Sequence, residues 1–126
     1  MHELTITTRW TDFDVLGHLT HAVYPVLLDE ARDTYLTAAV GPFSDWPTVI
    51  AHLSIDFRQE ITHPAAAVTI RTAVTGVGRT SVTFEQQVVT PAGEVAASAR
   101  AVVVAWDPAT RAKREIAARD RAALEP

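Results

Sequence analysis

Leu4, Ile6, Thr8 and Trp10 alternate with polar neighbours over residues 3–10, and a period of two predicts a first strand. The alternation then breaks at a stretch holding Asp12, Asp14, Gly17 and His18, which reads as a loop. From Val23 the period becomes helical. Val23, Tyr24, Leu27, Leu28, Ala31, Tyr35 and Leu36 recur at steps of three and four and form one apolar stripe. Thr20 can cap the start, Pro25 fits only a first turn, and Gly41-Pro42 stops the run. The spacing predicts a helix over about residues 21–40.

After a Pro- and Trp-containing loop, Pro42 to Pro47, alternation returns four times. Val49, Ala51, Leu53, Ile55 and Phe57 are interleaved with His52, Ser54, Asp56 and Arg58. Val68, Ile70, Thr72 and Val74 form the next strand, ended by Gly76-Val77-Gly78. Val82, Phe84, Gln86 and Val88 form another, closed by Pro91-Ala92-Gly93. Residues 94–106 form the last, with Ala and Val at its inner positions, small enough for close packing against another element. Glu115 to Leu124 reads as a short helix.

The expected fold class is therefore α+β, one domain over residues 1–126 with one long helix against a curved antiparallel five-stranded sheet. Short turns predict the four later strands as antiparallel neighbours in meander-like succession. One helix cannot cover both faces of such a sheet. A second copy is expected to share a face or an edge, giving a homodimer or a dimer of dimers.

Composition narrows the function. With 48% hydrophobic residues the chain has enough apolar material for one core. It has no cysteine, which removes disulfides, thiolate metal sites and a cysteine nucleophile. A net charge of -4 argues against general nucleic-acid binding. Arg111, Lys113, Arg114, Arg119 and Arg121 face Glu115, Asp120 and Glu125 in the tail, an excess of two positive charges, so the rest carries -6. No run of residues has the length and apolarity of a membrane span, and the N-terminal residues have no signal-peptide core; the expected setting is cytoplasmic.

The densest cluster of ionisable groups is Arg9, Asp12, Asp14, His18 and His21, just before or at the helix start. A helix N-terminus offers unpaired N–H groups that can polarise a carbonyl oxygen, and a carboxylate on the preceding loop can attack that carbonyl or activate water. The layout suits acyl transfer to water. On these residues alone, aspartates as caps and turn formers are the weightier reading. His18-x-x-His21 with the two aspartates has only a loose metal-ligand spacing. Gly76-Val77-Gly78 lacks the following helix of a phosphate loop.

The run from Arg9 to Tyr24, with Asp12-Phe13-Asp14-Val15-Leu16-Gly17-His18 at its centre, followed by Asp29-Glu30-Ala31-Arg32, resembles the 4-hydroxybenzoyl-CoA thioesterase family of hotdog proteins. Phe57, Pro64, Gly78-Arg79-Thr80-Ser81 and the small-residue last strand match later landmarks. The resemblance implies a hotdog fold and hydrolysis of a fatty or aromatic acyl-CoA. It makes Asp14 the catalytic carboxylate, as nucleophile or general base, and the His21 N–H the donor to the thioester carbonyl. The His21 side chain is then catalytic or pocket-lining. Asp12 is expected to bond loop N–H groups or pair with Arg9, and His18 to fix the loop beside the substrate. Tyr24 is expected mostly in the core with its hydroxyl toward the pocket, and Glu30 with Arg32 to bridge helix and sheet.

Arg79, Thr80 and Ser81 sit where the family meets CoA, although a solvated hairpin arginine fits Arg79 nearly as well. No metal or cofactor is implied. The chain departs from the pattern at Thr20 and His21, where asparagines are frequent, and at Trp10, where one branch has a tyrosine. Three other functions remain open at this point: an acyl-carrier-protein thioesterase, a non-catalytic acyl-CoA sensor, and a hotdog hydratase, whose Asp-His motif is absent.

Overall fold

The structure, a computed structural model, describes residues 1–126. Its elements are β1 (His2–Thr7), α1 (Tyr24–Ala39), β2 (Thr48–Phe57), β3 (Ala67–Val77), β4 (Ser81–Val89), β5 (Val95–Asp107), β6 (Ala112–Lys113) and α2 (Ala118–Leu124). The strands form one antiparallel sheet in the order β1-β3-β4-β5-β2, with the two-residue β6 added at the end of β5. The sheet curves around α1 in the hotdog arrangement.

Three sequence expectations change in detail. The meander holds only for β3, β4 and β5. β2 pairs with β5 instead of β3 and forms a sheet edge. Its connection to β3 is the nine-residue stretch 58–66, too long for a tight hairpin and tied instead to the first loop by a bridge between His18 and Thr62. β1 ends at Thr7; Trp10 lies on a single 3₁₀ turn, Trp10–Asp12, with 80% of its surface exposed. α1 proper runs from Tyr24 to Ala39, preceded by a 3₁₀ turn over His21–Val23 that puts Pro25 in the first α-helical turn, where its missing N–H costs nothing.

A bulge in β2 alters which residues face the core. Ile50 pairs with Val103 and His52 with Val102, so Ala51 is left over. Past the bulge, Leu53 and Ile55 lie opposite Ala101 and Ala99; before it, Ile50 takes the helix side and Val49 the outer side. Simple alternation puts Val49 and Ala51 on the wrong face.

The core lies between α1 and the inner face of the sheet. Leu27, Leu28 and Ala31 pack with Ile70, Val88, Ala97 and Ala99. Leu36 and Trp46 pack with Phe84, Ala101, Val103 and Leu124. The alanines of β5 let the helix approach the sheet closely, as their small size predicts. On the outer face cross-strand pairs are polar, as in Glu85 opposite Arg100 and Glu3 beside Arg71.

Candidate active site

Residues 12–20 fold back on themselves. Thr20 N–H donates to Asp12 O at 2.8 Å, Phe13 bridges Leu19, and Asp14 N–H donates to His18 O at 2.9 Å. At the tip, Gly17 N–H closes a turn on Asp14 O at 3.0 Å, with Gly17 at φ +76°, a conformation strained for any side chain. The Asp14 side chain completes the turn. Its Oδ1 accepts the N–H groups of Leu16 (2.9 Å) and His18 (3.1 Å), while Oδ2 has no partner and the residue is exposed. The tip is tied to stretch 58–66 by His63 N–H to Gly17 O at 2.8 Å, Leu19 N–H to Ile61 O at 2.7 Å, and the His18 imidazole on Glu60.

Asp12, adjacent in sequence, is in a different situation. It is buried, its Oδ2 accepts Arg9 N–H at 2.8 Å, and its Oδ1 accepts Arg9 Nη2 at 2.9 Å. Burial alone raises its pKa, but the Arg9 hydrogen bonds and charge outweigh that and hold the carboxyl below the ordinary carboxylate value. A depressed folded pKa adds stability that is complete above the unfolded value of about 4 and lost as pH falls through the folded one. The stability difference between the wild type and Asp12→Asn is therefore expected to be constant above about pH 5 and to shrink below about pH 4. Urea unfolding over a pH series measures it. A difference independent of pH contradicts the ion-paired Asp12.

At the start of α1, Val23 N–H is taken by Thr20 O at 2.9 Å, and the Thr20 side chain caps nothing. The N–H groups of His21 and Ala22 bond no carbonyl or side chain, so two donors stand free where the helix dipole is positive. The His21 side chain is exposed and unpaired. Tyr24 is buried in the core with its ring edge-on to Phe57, centroids 4.9 Å apart, and burial raises its pKa.

A groove of about 560 Å³ lies beside α1, bordered by Val26 and Leu36 of the helix, Phe43 and Trp46 of the loop, and Ile50 of β2. Asp29, Glu30 and Asp33 line it as well. Arg32 also borders it, 4% exposed, donating from Nη1 to Gln86 Oε1 at 2.8 Å. The expected helix-to-sheet contact thus exists, but Gln86 is the partner and Glu30 takes no part in it.

Arg79, Thr80 and Ser81 lie elsewhere. Thr7 pairs with Ala67 at one end of β3, and the 78–80 turn follows the other end, about 30 Å away along the strand. Arg79 pairs with Glu115 there, Thr80 O accepts Ala105 N–H, and Ser81 O accepts Gly78 N–H. Within one chain this turn and Asp14 are not brought together.

Sequence reasoning missed Glu60, Gln86 and His63, the last lining a small cleft with Asp14 and packing edge-on against Phe13. Only Gln86 carried a signal, as a polar residue at an inward position of β4. No three His, Asp or Glu side chains gather as a metal site would require, and no helix is long and apolar enough to cross a membrane.

Known structures share this architecture. A predicted thioesterase from Bacillus stearothermophilus is 25% identical with TM-score 0.87, over 97% of this chain and 92% of that one. A protein from Pseudomonas aeruginosa strain PAO1 is 26% identical with TM-score 0.88, over 98% and 89%. A thioesterase from Thermus thermophilus, complexed with coenzyme A and Zn, is 24% identical with TM-score 0.85 over 97% and 90%, a likeness of fold. No curated protein matches the chain. The family model described as the thioesterase-like superfamily matches residues 8–124, nearly the whole length. The chain belongs to the thioesterase-like superfamily, and its chemistry is thioester hydrolysis.

Proposed function

We propose that the protein hydrolyses the thioester of a fatty or aromatic acyl-CoA to the free acid and CoA, in the cytoplasm, with Asp14 as its catalytic carboxylate. One observation carries this reading: Asp14 holds one oxygen fixed on two N–H groups and keeps the other free, on the loop that leads into the two unengaged N–H groups of His21 and Ala22. As a general base, Asp14 Oδ2 takes a proton from water while the water oxygen adds to the thioester carbon. As a nucleophile, Oδ2 adds directly and water then hydrolyses the mixed anhydride. In both routes the amides of His21 and Ala22 hold the negative oxygen, the C–S bond breaks, and the thiolate leaves to take up a proton. In the general-base route the proton that Asp14 took from water passes on to the leaving thiolate, with the exposed His21 side chain as its relay. His18, paired with Glu60, keeps the Asp14 turn closed beside the substrate.

The groove supports placing the acyl group along α1, since its Val26 end lies one turn past the free amides. The carboxylates on its rim repel the phosphates of CoA. The acidic main body repels an acidic carrier protein over a wide surface, whereas CoA needs only its phosphates kept clear of the groove, so CoA is the preferred carrier of the acyl group.

The quaternary arrangement is part of the same proposal. β2 is a ten-residue edge strand with Ile50 and Phe57 more than half exposed, a surface that natural sheets cover or pair. Two β2 edges paired antiparallel across a two-fold axis bring the Thr48 end of one copy beside the Phe57 end of the other. In that homodimer the partner's 78–81 turn approaches the Asp14 end of this chain, the arrangement in which Arg79, Thr80 and Ser81 serve CoA. The expected native mass is twice the chain's 13.7 kDa, or four times in a dimer of dimers. A stable monomer in sedimentation equilibrium contradicts it.

Thiol release over a panel of aliphatic and aromatic acyl-CoAs tests the activity. Tight binding of acyl-CoA with no thiol released replaces this reading with the sensor.

A further inference from the structure

Trp46 lies between the groove and the C-terminal segment. It borders the groove together with Leu36 and Gly41, toward the C-terminal end of α1, and is 4% exposed. Its indole Nε1–H donates to Asp120 Oδ2 at 3.0 Å, and the Arg114 guanidinium sits 4.9 Å from the ring centroid. Arg114 Nη2 is buried with no hydrogen-bond partner, so that cation rests on the ring face.

The segment carrying these residues is anchored independently of Trp46. Arg121 donates to Val77 O (3.0 Å) and Gly78 O (2.7 Å), Ile116 N–H donates to Arg79 O at 3.0 Å, and Ile116 and Leu124 are buried. Asp120, with 14% of its side chain exposed, is therefore a fixed post. The groove follows α1 from Val26 to Leu36, about 15 Å of helix, with the free amides beyond one end and Trp46 at the other.

We propose that Trp46 limits how far an acyl group extends along the groove, and that Asp120 and Arg114 are positioning residues that hold its ring as the end wall. The inference rests on the acyl-CoA reading of the groove. The groove is mixed in character, but its apolar side chains, Val26, Leu36, Phe43, Trp46 and Ile50, give it a surface that discriminates by the methylenes it has room for. Moving its end wall therefore changes chain-length preference more than reaction rate. The C-terminal helix thereby takes part in substrate selection without touching substrate.

The test is the ratio of kcat/KM for hexadecanoyl-CoA over octanoyl-CoA, with thermal unfolding run beside it. Trp46→Ala is expected to raise the ratio about tenfold or more. Asp120→Ala, which frees the ring, is expected to raise it about threefold. Asp120→Asn keeps an oxygen for the indole N–H and is expected to restore the wild-type ratio, which a merely structural role of Asp120 does not predict. Should Trp46→Ala not fold, Trp46→Leu and the Asp120 pair carry the test. A folded end-wall variant with an unmoved ratio, or equal effects of Asp120→Ala and Asp120→Asn, overturns the inference while leaving hydrolysis by the wild type standing. If the wild type cleaves neither of these two but cleaves an aromatic acyl-CoA, the inference is overturned and hydrolysis stands. If it cleaves no acyl-CoA of either kind, the hydrolase reading fails and calorimetric Kd values for the same two acyl-CoAs give the ratio. Absence of binding as well overturns both.

Discussion

Asp14→Asn is expected to lower kcat roughly 10²–10⁴-fold, the range for losing a positioned proton-transfer group, with KM changed only a few-fold. The replacement has nearly the same shape. Its amide oxygen still accepts the N–H groups of Leu16 and His18, so the turn closed by Gly17 keeps its form. What is lost is the negative charge on Oδ2, and an amide neither accepts a proton from water nor forms an anhydride. The expected fall corresponds to about 3–5 kcal/mol of transition-state stabilisation. Asp12→Asn is the control. Two residues away and likewise an aspartate, Asp12 is buried on Arg9 and has no free oxygen, so its replacement should cost stability and leave turnover within a few-fold. Steady-state kinetics on one acyl-CoA separate the two. Retention of more than a tenth of wild-type kcat by Asp14→Asn removes Asp14 from the chemistry.

The contrast between these two aspartates was only partly legible in the sequence. The loop, the glycine and the approach to a helix start follow from local residue chemistry, and so does Arg9 as a partner for Asp12 three residues on. Nothing local says which carboxylate ends up with a free oxygen. That depends on the 12–20 loop pairing with itself and on stretch 58–66 behind it, including Glu60, whose contact with His18 spans 42 positions. The strands were legible because alternation is local; their order was not, because β2 reaches β5 past two intervening strands. Within β2 a single bulged residue, Ala51, shifts the phase and exchanges Val49 for Ile50 on the groove side, which alternation cannot foresee. Trp46 and Asp120 lie 74 positions apart, with no pattern linking them. The matching motifs at Asp14 and Arg79 fall at opposite ends of β3, a separation set by strand length and invisible to motif order.

Gln86→Leu is expected to destabilise the protein by about 3–5 kcal/mol, the cost of leaving a buried cation without its partner. Gln86 is the hub of a polar cluster inside an otherwise apolar layer. Its Oε1 accepts from Arg32 Nη1 at 2.8 Å, and its Nε2 donates to Leu28 O at 3.0 Å and Thr72 Oγ1 at 3.1 Å. Thr72 lies opposite Gln86 in the sheet register, so the two polar interruptions in the β3 and β4 patterns are neighbours facing one arginine on the helix stripe. Burial lowers the Arg32 pKa, partly offset by Asp29, whose Oδ1 lies 3.4 Å from Nη2. At neutral pH the guanidinium stays charged. Leucine at position 86 leaves it with that long, mostly exposed contact and with a buried Nε that already lacks a partner. Against a total stability of about 5–15 kcal/mol, the loss should lower Tm by roughly 10 °C or more. Removing both partners has the opposite logic. Arg32→Met with Gln86→Leu deletes the buried charge together with its acceptor, and such apolar replacements are often neutral or stabilising. The double variant should therefore recover most of what Gln86→Leu loses, a coupling of roughly 2 kcal/mol or more in a thermal-unfolding cycle. Additive losses in that cycle indicate that Arg32 finds water or another partner when Gln86 is gone, and that the cluster is not a closed network.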